Sequence, residues 1–289
     1  MSWLSSLATN PTLTILFLFL LFLPSQLGRH FWPSFAFING LRIDYLSPTL
    51  YFTDILFCLL LLEMLPNILR AMKQPLSWVV VAVLGLFSYL SLTSQLPLNS
   101  LWGVVRLLQV VLLIWFFSFA MKRQSNRLTL ALAIAISLIY SSLLAIWQFI
   151  NQSSVGGLWY YLGERSFTSL TPGIADASLR GTVVLRPYAT FPHPNVLAGF
   201  CIIMVTYLLL LAPSSALRWW QGLKGVALGL GMVALVVSLS RGAIVVGGLV
   251  GIVWFISRAL ASPRRQKIFV GVCVVLVFLA WQTGLLLRL

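Results

Sequence analysis

"LTLALAIAISLIYSSLLAIWQFI", Leu128 to Ile150, contains no charged residue. A stretch of this length and character reaches the roughly 20 residues a helix needs to cross a bilayer. In hydrocarbon every backbone N–H and C=O must find a partner inside the protein, and a helix provides one within a single segment. The stretch therefore predicts a transmembrane helix. Comparable apolar runs lie at 11–28, 49–69, 76–94, 100–120, 194–212, 222–239, 242–257 and 268–287. With 128–150 they predict about nine spans by the length test, hence an all-α fold class, a polytopic helical bundle forming one integral membrane domain over 1–289.

Composition points the same way, because 60% of the residues are hydrophobic and only 8% are charged. The formal charge of +14 comes from 19 Lys+Arg against 5 Asp+Glu. Those cations stand singly between apolar runs and make no basic face, which excludes nucleic acid as a partner. Cys58, Cys201 and Cys273 each sit inside an apolar run without metal-ligand spacing, so they read as small core hydrophobes, and neither a metal nor another cofactor is expected. No GxxxxGK[ST] and no GxGxxG occurs, which argues against an ATP-driven pump. Gly225-xxx-Gly229 and Gly247-xxx-Gly251 are expected to let helices approach closely.

The 11–28 run has no Lys or Arg ahead of it, a poor start for a secretory signal, and reads as a retained helix. With the amino terminus in the cytoplasm, 11 of the 19 cations fall inside together with Glu63, giving +10. Eight cations and four acids fall outside, giving +4, the sense that the positive-inside rule requires. The connection 149–193 then becomes an external loop of about 40 residues, far longer than most connections. Its Trp159, Tyr160, Tyr161 and Phe167 suit a membrane interface or a substrate contact.

The loop ends in "RPYATFPHPN", Arg186 to Asn195. Pro192 and Pro194 fix φ on both sides of His193 and delay the next helix until Asn195. The topology gathers three arginines on the outer half of the membrane: Arg186, Arg241 in "SLSRGA", and Arg106, about 9 Å into its helix at 1.5 Å per residue. Two readings of Arg106 stay open. It snorkels or pairs with an acid, or it faces a cavity and binds a phosphorylated lipid, since guanidinium matches phosphate oxygens bidentately.

"RPYATFPHPNVLAGF" resembles the Arg…Thr-Phe-x-His-Pro-Asn-x-Leu-Ala-Gly signature of the O-antigen ligase and O-antigen polymerase superfamily, and "SLSRGA" resembles its second signature. "IDYLSPTLYFTDILF", Ile43 to Phe57, is similar to the opening of that family's second helix. The resemblance implies a metal-independent glycosyltransferase in the bacterial inner membrane, active at the periplasmic face. Its donor would be a glycan on undecaprenyl diphosphate, and its acceptor lipid A core or a growing polysaccharide. Arg186 and Arg241 match the motif arginines and would hold the diphosphate. A lipid diphosphate is a good leaving group whose charge needs stabilising. Arg106, Arg180, Tyr188 and Asn195 are expected to contact the lipid diphosphate or glycan.

The family's base is a histidine in a second, larger external loop, and here the only histidine besides His193 is His30. The chain is therefore expected to be a truncated copy that lacks this loop. His193 is its candidate catalytic base, although the flanking prolines favour a structural hydrogen-bonding role. Glu164 and Asp176 are external alternatives, against the reading that loop carboxylates are simply solvated. Asp54, in the first turns of its helix, suits the helix dipole. A multi-pass transporter or channel, or an inactive fragment that binds lipid carrier, are the competing readings; a carrier would be expected to have acids near the membrane midplane.

Overall fold

A computed structural model describes residues 7, 9–43, 46–179, 181–210 and 217–259. The chain is mostly helical, with nine α-helices among the described residues. They are α1 (Pro11–Phe22), α2 (Phe52–Ala71), α3 (Pro75–Leu92), α4 (Pro97–Ala120), α5 (Gln124–Asn151), α6 (Leu158–Tyr161), α7 (Pro194–Leu210), α8 (Arg218–Val237) and α9 (Arg241–Ala259). Four segments are long and apolar enough to cross a membrane: Phe52–Ala71, Pro97–Ala120, Asn126–Asn151 and Arg218–Val237. Shorter apolar helices cover Pro11–Phe22, Ser77–Leu92, Pro194–Leu210 and Arg241–Ile256. Eight of the nine expected spans thus coincide with helices and four of them meet the length test, while 268–287 lies outside the described residues.

Apolar side chains cover the outside of these helices. Leu62, Leu69, Trp78, Leu86, Leu98 and Ile114 are each more than half exposed. So many exposed apolar side chains are stable against hydrocarbon rather than water.

The fold is not purely α. Three antiparallel two-stranded ribbons punctuate it: β1 (Gly28–His30) with β4 (Thr49–Tyr51), β2 (Phe37–Ile38) with β3 (Leu41–Arg42), and β5 (Asp176–Leu179) with β6 (Thr182–Leu185). Connections without helical hydrogen bonds must pair their backbone groups some other way, and a ribbon does so locally. β1 accordingly cuts short the first expected span, which ends as helix at Phe22. Its Gly28 faces Tyr51 so closely that a Cβ would sit 2.9 Å from the Leu50 carbonyl oxygen.

Two compact units divide the chain, Met1–Ala133 and Ile134–Leu289. In the first, α1 packs on α2 and α3 on α4. In the second, α7 packs on α8 and on α9. A Cβ on Gly231 of α8 would come within 3.0 Å of both Leu138 of α5 and Val205 of α7, so the absence of a side chain there lets three helices close up. Gly247 similarly meets Leu235 at 3.0 Å. Among the described residues the expected Gly225-xxx-Gly229 contact is absent, and none comes within 4 Å of a Cβ built on either glycine or on Gly251. Gly231 takes their packing role because it lies on the buried stripe of α8 with Ala227 and Ala234.

Candidate functional site

Gln148, in the last turn of α5, organises the second unit. It is wholly buried. Its Nε2 donates to Glu164 Oε1 at 2.7 Å and to the Ala189 carbonyl at 3.0 Å. Its Oε1 accepts from the amides of Tyr188 at 3.0 Å and Ala189 at 2.7 Å. A primary amide has two donors and two acceptor positions, and all are used. Ala189 consequently holds φ at +49°, a left-handed conformation that costs a non-glycine residue about 1 kcal/mol or more and persists where its surroundings dictate it.

Glu164 is neither solvated nor free to act as a base. Its carboxylate is buried, accepting from the Val155 amide at 2.7 Å on Oε1 and the Gly156 amide at 2.7 Å on Oε2, beside the Gln148 bond. Gly156 and Gly157 both have positive φ, which lets the loop turn its amides onto the carboxylate. The alternative acid Asp176 is an exposed strand residue opposite Leu185.

Around this clasp Phe167, Leu185 and Tyr188 form a small core, with Ile174 and Ala175 against it. The Tyr188 hydroxyl accepts from the Ala175 amide at 2.7 Å, and its ring meets Phe167 at 5.2 Å between centroids. Tyr188, expected to contact substrate, is buried here as a core residue. Leu185 is fixed further by its amide donating to Gln152 Oε1 at 2.6 Å.

Arg186 leaves this core with its backbone amide bound to the Ala175 carbonyl at 3.0 Å. Its Nε donates to the Ser238 carbonyl at 2.8 Å, and its Nη2 to Asn195 Oδ1 at 2.5 Å. One guanidinium thus ties the "RPYATFPHPN" stretch to "SLSRGA". Of its five N–H donors, two are used, and no carboxylate among the described residues pairs with it. Burial draws its pKa down from the ordinary value, opposed by Tyr188, but an arginine remains a cation at neutral pH.

His193 is held by the same asparagine. The Asn195 amide donates to its Nδ1 at 3.1 Å, and its carbonyl accepts from Val196 and Leu197 at the start of α7. Burial first, and the neighbouring Arg186 charge second, keep the imidazole below its usual 6.5. It is therefore neutral at pH 7, and the Asn195 hydrogen bond assigns the remaining proton to Nε2. In that state it offers a donor.

Arg241 is exposed at the first position of α9 and makes no hydrogen bond or ion pair among the described residues. Ser238, the Arg186 acceptor, precedes it by three residues, so the two Cα atoms are at most about 11 Å apart. Arg180 lies outside the described residues. No three metal-ligating side chains gather among the described residues.

Arg106 belongs to the first unit. There Nη1 donates to Asp54 Oδ1 at 2.5 Å and Gln109 Oε1 at 2.7 Å, while Nη2 reaches Asp54 Oδ2 at 3.0 Å and the Thr49 carbonyl. Gln109 also donates to Asp54, and the guanidinium stacks over Trp102 at 4.7 Å. Of the two readings of Arg106, pairing with an acid is the observed one. Asp54 also accepts the Tyr51 amide at 2.7 Å, the helix-start role expected of it.

Compared with known proteins, the chain matches no family model, no curated protein and no solved structure.

Proposed function

We propose that the second unit binds the diphosphate of a lipid-linked glycan, and that the chain is a membrane glycosyltransferase of the O-antigen ligase or polymerase type. The observation that carries this reading is Arg186: a half-buried cation that joins both stretches and, among the described residues, has no carboxylate partner and leaves three N–H donors unused. Such a group stabilises the negative charge that grows on a leaving diphosphate as the glycosidic bond breaks. Arg241, exposed on the same turn, supplies the second cation that a diphosphate calls for. His193 contributes its Nε2–H as a neutral donor rather than acting as the base, and Asn195 orients both it and Arg186. Tyr188 and Gln148 hold the stretch in position from behind. The reading covers the donor-binding half of the reaction; the acceptor is lipid A core or a polysaccharide end, and the working face is periplasmic, reached through a bundle of about nine spans.

A transporter is less well supported. Asp54 and Arg106 are each already bound to the other and to neighbouring groups, which leaves Glu63, exposed part-way along α2, as the acid that a carrier could use. The test uses membranes containing the chain, a lipid diphosphate-linked glycan and either acceptor. R186A and R241A should each reduce transfer at least about a hundredfold, the scale of losing one charge-stabilising donor. Unchanged transfer in both variants removes the proposal, and glycan-independent solute uptake replaces it with the transporter.

A further inference from the structure

The connection that leaves α5 turns back along it. Gln148, whose Nε2 donates to Glu164 Oε1 at 2.7 Å, stands three residues before the helix ends at Asn151. The Trp159 ring stacks on Tyr140 with centroids 6.5 Å apart. Tyr140 is eleven residues before Asn151, about 16 Å along the helix at 1.5 Å per residue. Glu164 closes this return, because its carboxylate gathers the Val155 and Gly156 amides while its own amide donates to the Trp159 carbonyl at 3.0 Å. α6 and the turn before it therefore pack beside the last turns of α5, short of its end.

α5 has 28 residues, about 42 Å, against a hydrocarbon core of roughly 30 Å. The apolar stretch that opens at Leu128 reaches the roughly 20 residues of a span near Trp147, and the polar Gln148, Asn151 and Gln152 follow. The turns that α6 accompanies thus run from hydrocarbon into the headgroup layer. At that level its outward side chains are apolar or aromatic. Trp159 faces Tyr140, and the other three residues of the turn, Leu158, Tyr160 and Tyr161, are 83%, 63% and 69% exposed. Leu143, Trp147 and Ile150, exposed on the same face of α5 as Tyr140, continue this surface along a helix able to span a bilayer. A tyrosine suits such a boundary, with its ring among acyl chains and its hydroxyl among headgroups.

We infer that α6 is an interfacial membrane anchor: it inserts Leu158, Tyr160 and Tyr161 among the headgroups and upper acyl chains of bilayer phospholipids beside α5. The partner is the bilayer because the exposed surface of α6 is continuous with the exposed stripe of a spanning helix. Gln148 binds both Glu164 and the backbone of Tyr188 and Ala189, so the anchor sets the depth of the stretch that bears Arg186 at the level of lipid phosphates. The inference rests on α5 crossing a bilayer, as the proposed membrane enzyme requires, and not on the chemistry proposed for Arg186.

Photocrosslinking tests it, with p-benzoylphenylalanine placed at single positions of the full chain in phosphatidylethanolamine–phosphatidylglycerol vesicles free of lipid-linked glycan. On illumination this probe inserts into neighbouring C–H bonds, and mass spectrometry identifies what it has joined. At Leu158, Tyr160 and Tyr161 it should yield phospholipid adducts at a level comparable with that at Leu143. At Trp159 it should join the α5 peptide that contains Tyr140. Leu158, Tyr160 and Tyr161 are exposed, so melting of those three variants should match the parent. Adducts at Leu143 with none at Leu158, Tyr160 and Tyr161 overturn the anchor while leaving α5 as a span. Absence of lipid adducts at Leu143 as well removes the span and the anchor with it, and a Trp159 probe that joins lipid instead of α5 overturns the fold-back. None of these readouts uses glycan transfer, so a failure of the Arg186 chemistry leaves them unchanged.

Discussion

Arg106 and Arg186 are the same side chain solved in two ways. Arg106 meets a carboxylate, an amide and a backbone carbonyl, so its charge is neutralised inside the protein. Among the described residues Arg186 meets only neutral oxygens, from Ser238 and Asn195, so they fix its charge in direction without cancelling it. The first arrangement supports a fold, and a ligand would have to displace Asp54 to use it. The second leaves a positive field pointing out of a rigid frame, which a ligand can complete. An unexplained arginine near a membrane is therefore best judged by what it is bonded to, more than by its depth.

That distinction can be broken in several ways, beginning with the frame behind Arg186. Gln148→Leu keeps the volume but leaves the amides of Tyr188 and Ala189 and one Glu164 oxygen short of partners. Losing this many buried bonds should cost about 3–5 kcal/mol. Thermal unfolding in detergent measures it, and a loss under 1 kcal/mol would mean that Arg186 is not held as described. Next, Asp54→Ala strands the Arg106 cation and should cost about 2–4 kcal/mol, between exposed and buried pairs. The double change D54A/R106M should recover much of that, because removing both charges removes the penalty; if it does not, the pair has some role besides compensation.

Arg186→Gln should be far milder for folding, about 1 kcal/mol for two bonds to neutral oxygens, while weakening capture of a lipid diphosphate strongly. Equal destabilisation by R186Q and R106Q would erase the contrast. The smallest effect concerns His193. Its folded pKa lies below 6.5 while the unfolded chain titrates near the ordinary value, so the unfolded state takes up a proton first as pH falls. Stability is thus fully present above about 6.5 and declines below it, down through the folded pKa. Melting temperature followed from pH 7.5 to 5 should show this slope, and His193→Gln should flatten it. In R186Q the imidazole should titrate higher, which NMR of the ring protons reads directly.

Much of the helical layout was legible because each apolar run is bounded by charge, Pro or Gly, and these local features also end helices. The ribbons were not, since "GRH" and "TLY" pair across twenty residues by backbone groups that no side-chain pattern encodes. Charge placement along the sequence predicts one side for "RPYATFPHPN" and "SLSRGA", and the Arg186 bonds supply the contact between them. Gln148 was missed, although a lone amide in the run 128–150 is a signal: a polar group there needs partners. Glu164 looked like a solvated loop acid because burial of a carboxylate depends on amides brought round by Gly156 and Gly157. Gly225 and Gly229 have the spacing for close packing, but on the wrong face of α8.

Asn195 has one further consequence. Its side-chain oxygen accepts from Arg186 while its own backbone amide donates to His193, so the guanidinium and the imidazole share a single hinge residue. The guanidinium charge is left uncancelled, and the reach of such a charge is set by dissolved salt, about 8 Å at physiological ionic strength. Capture of an anion from the bilayer surface should accordingly slow as salt rises, with Arg241, no more than about 11 Å along the chain from Ser238, extending the attractive field only when that screening is weak.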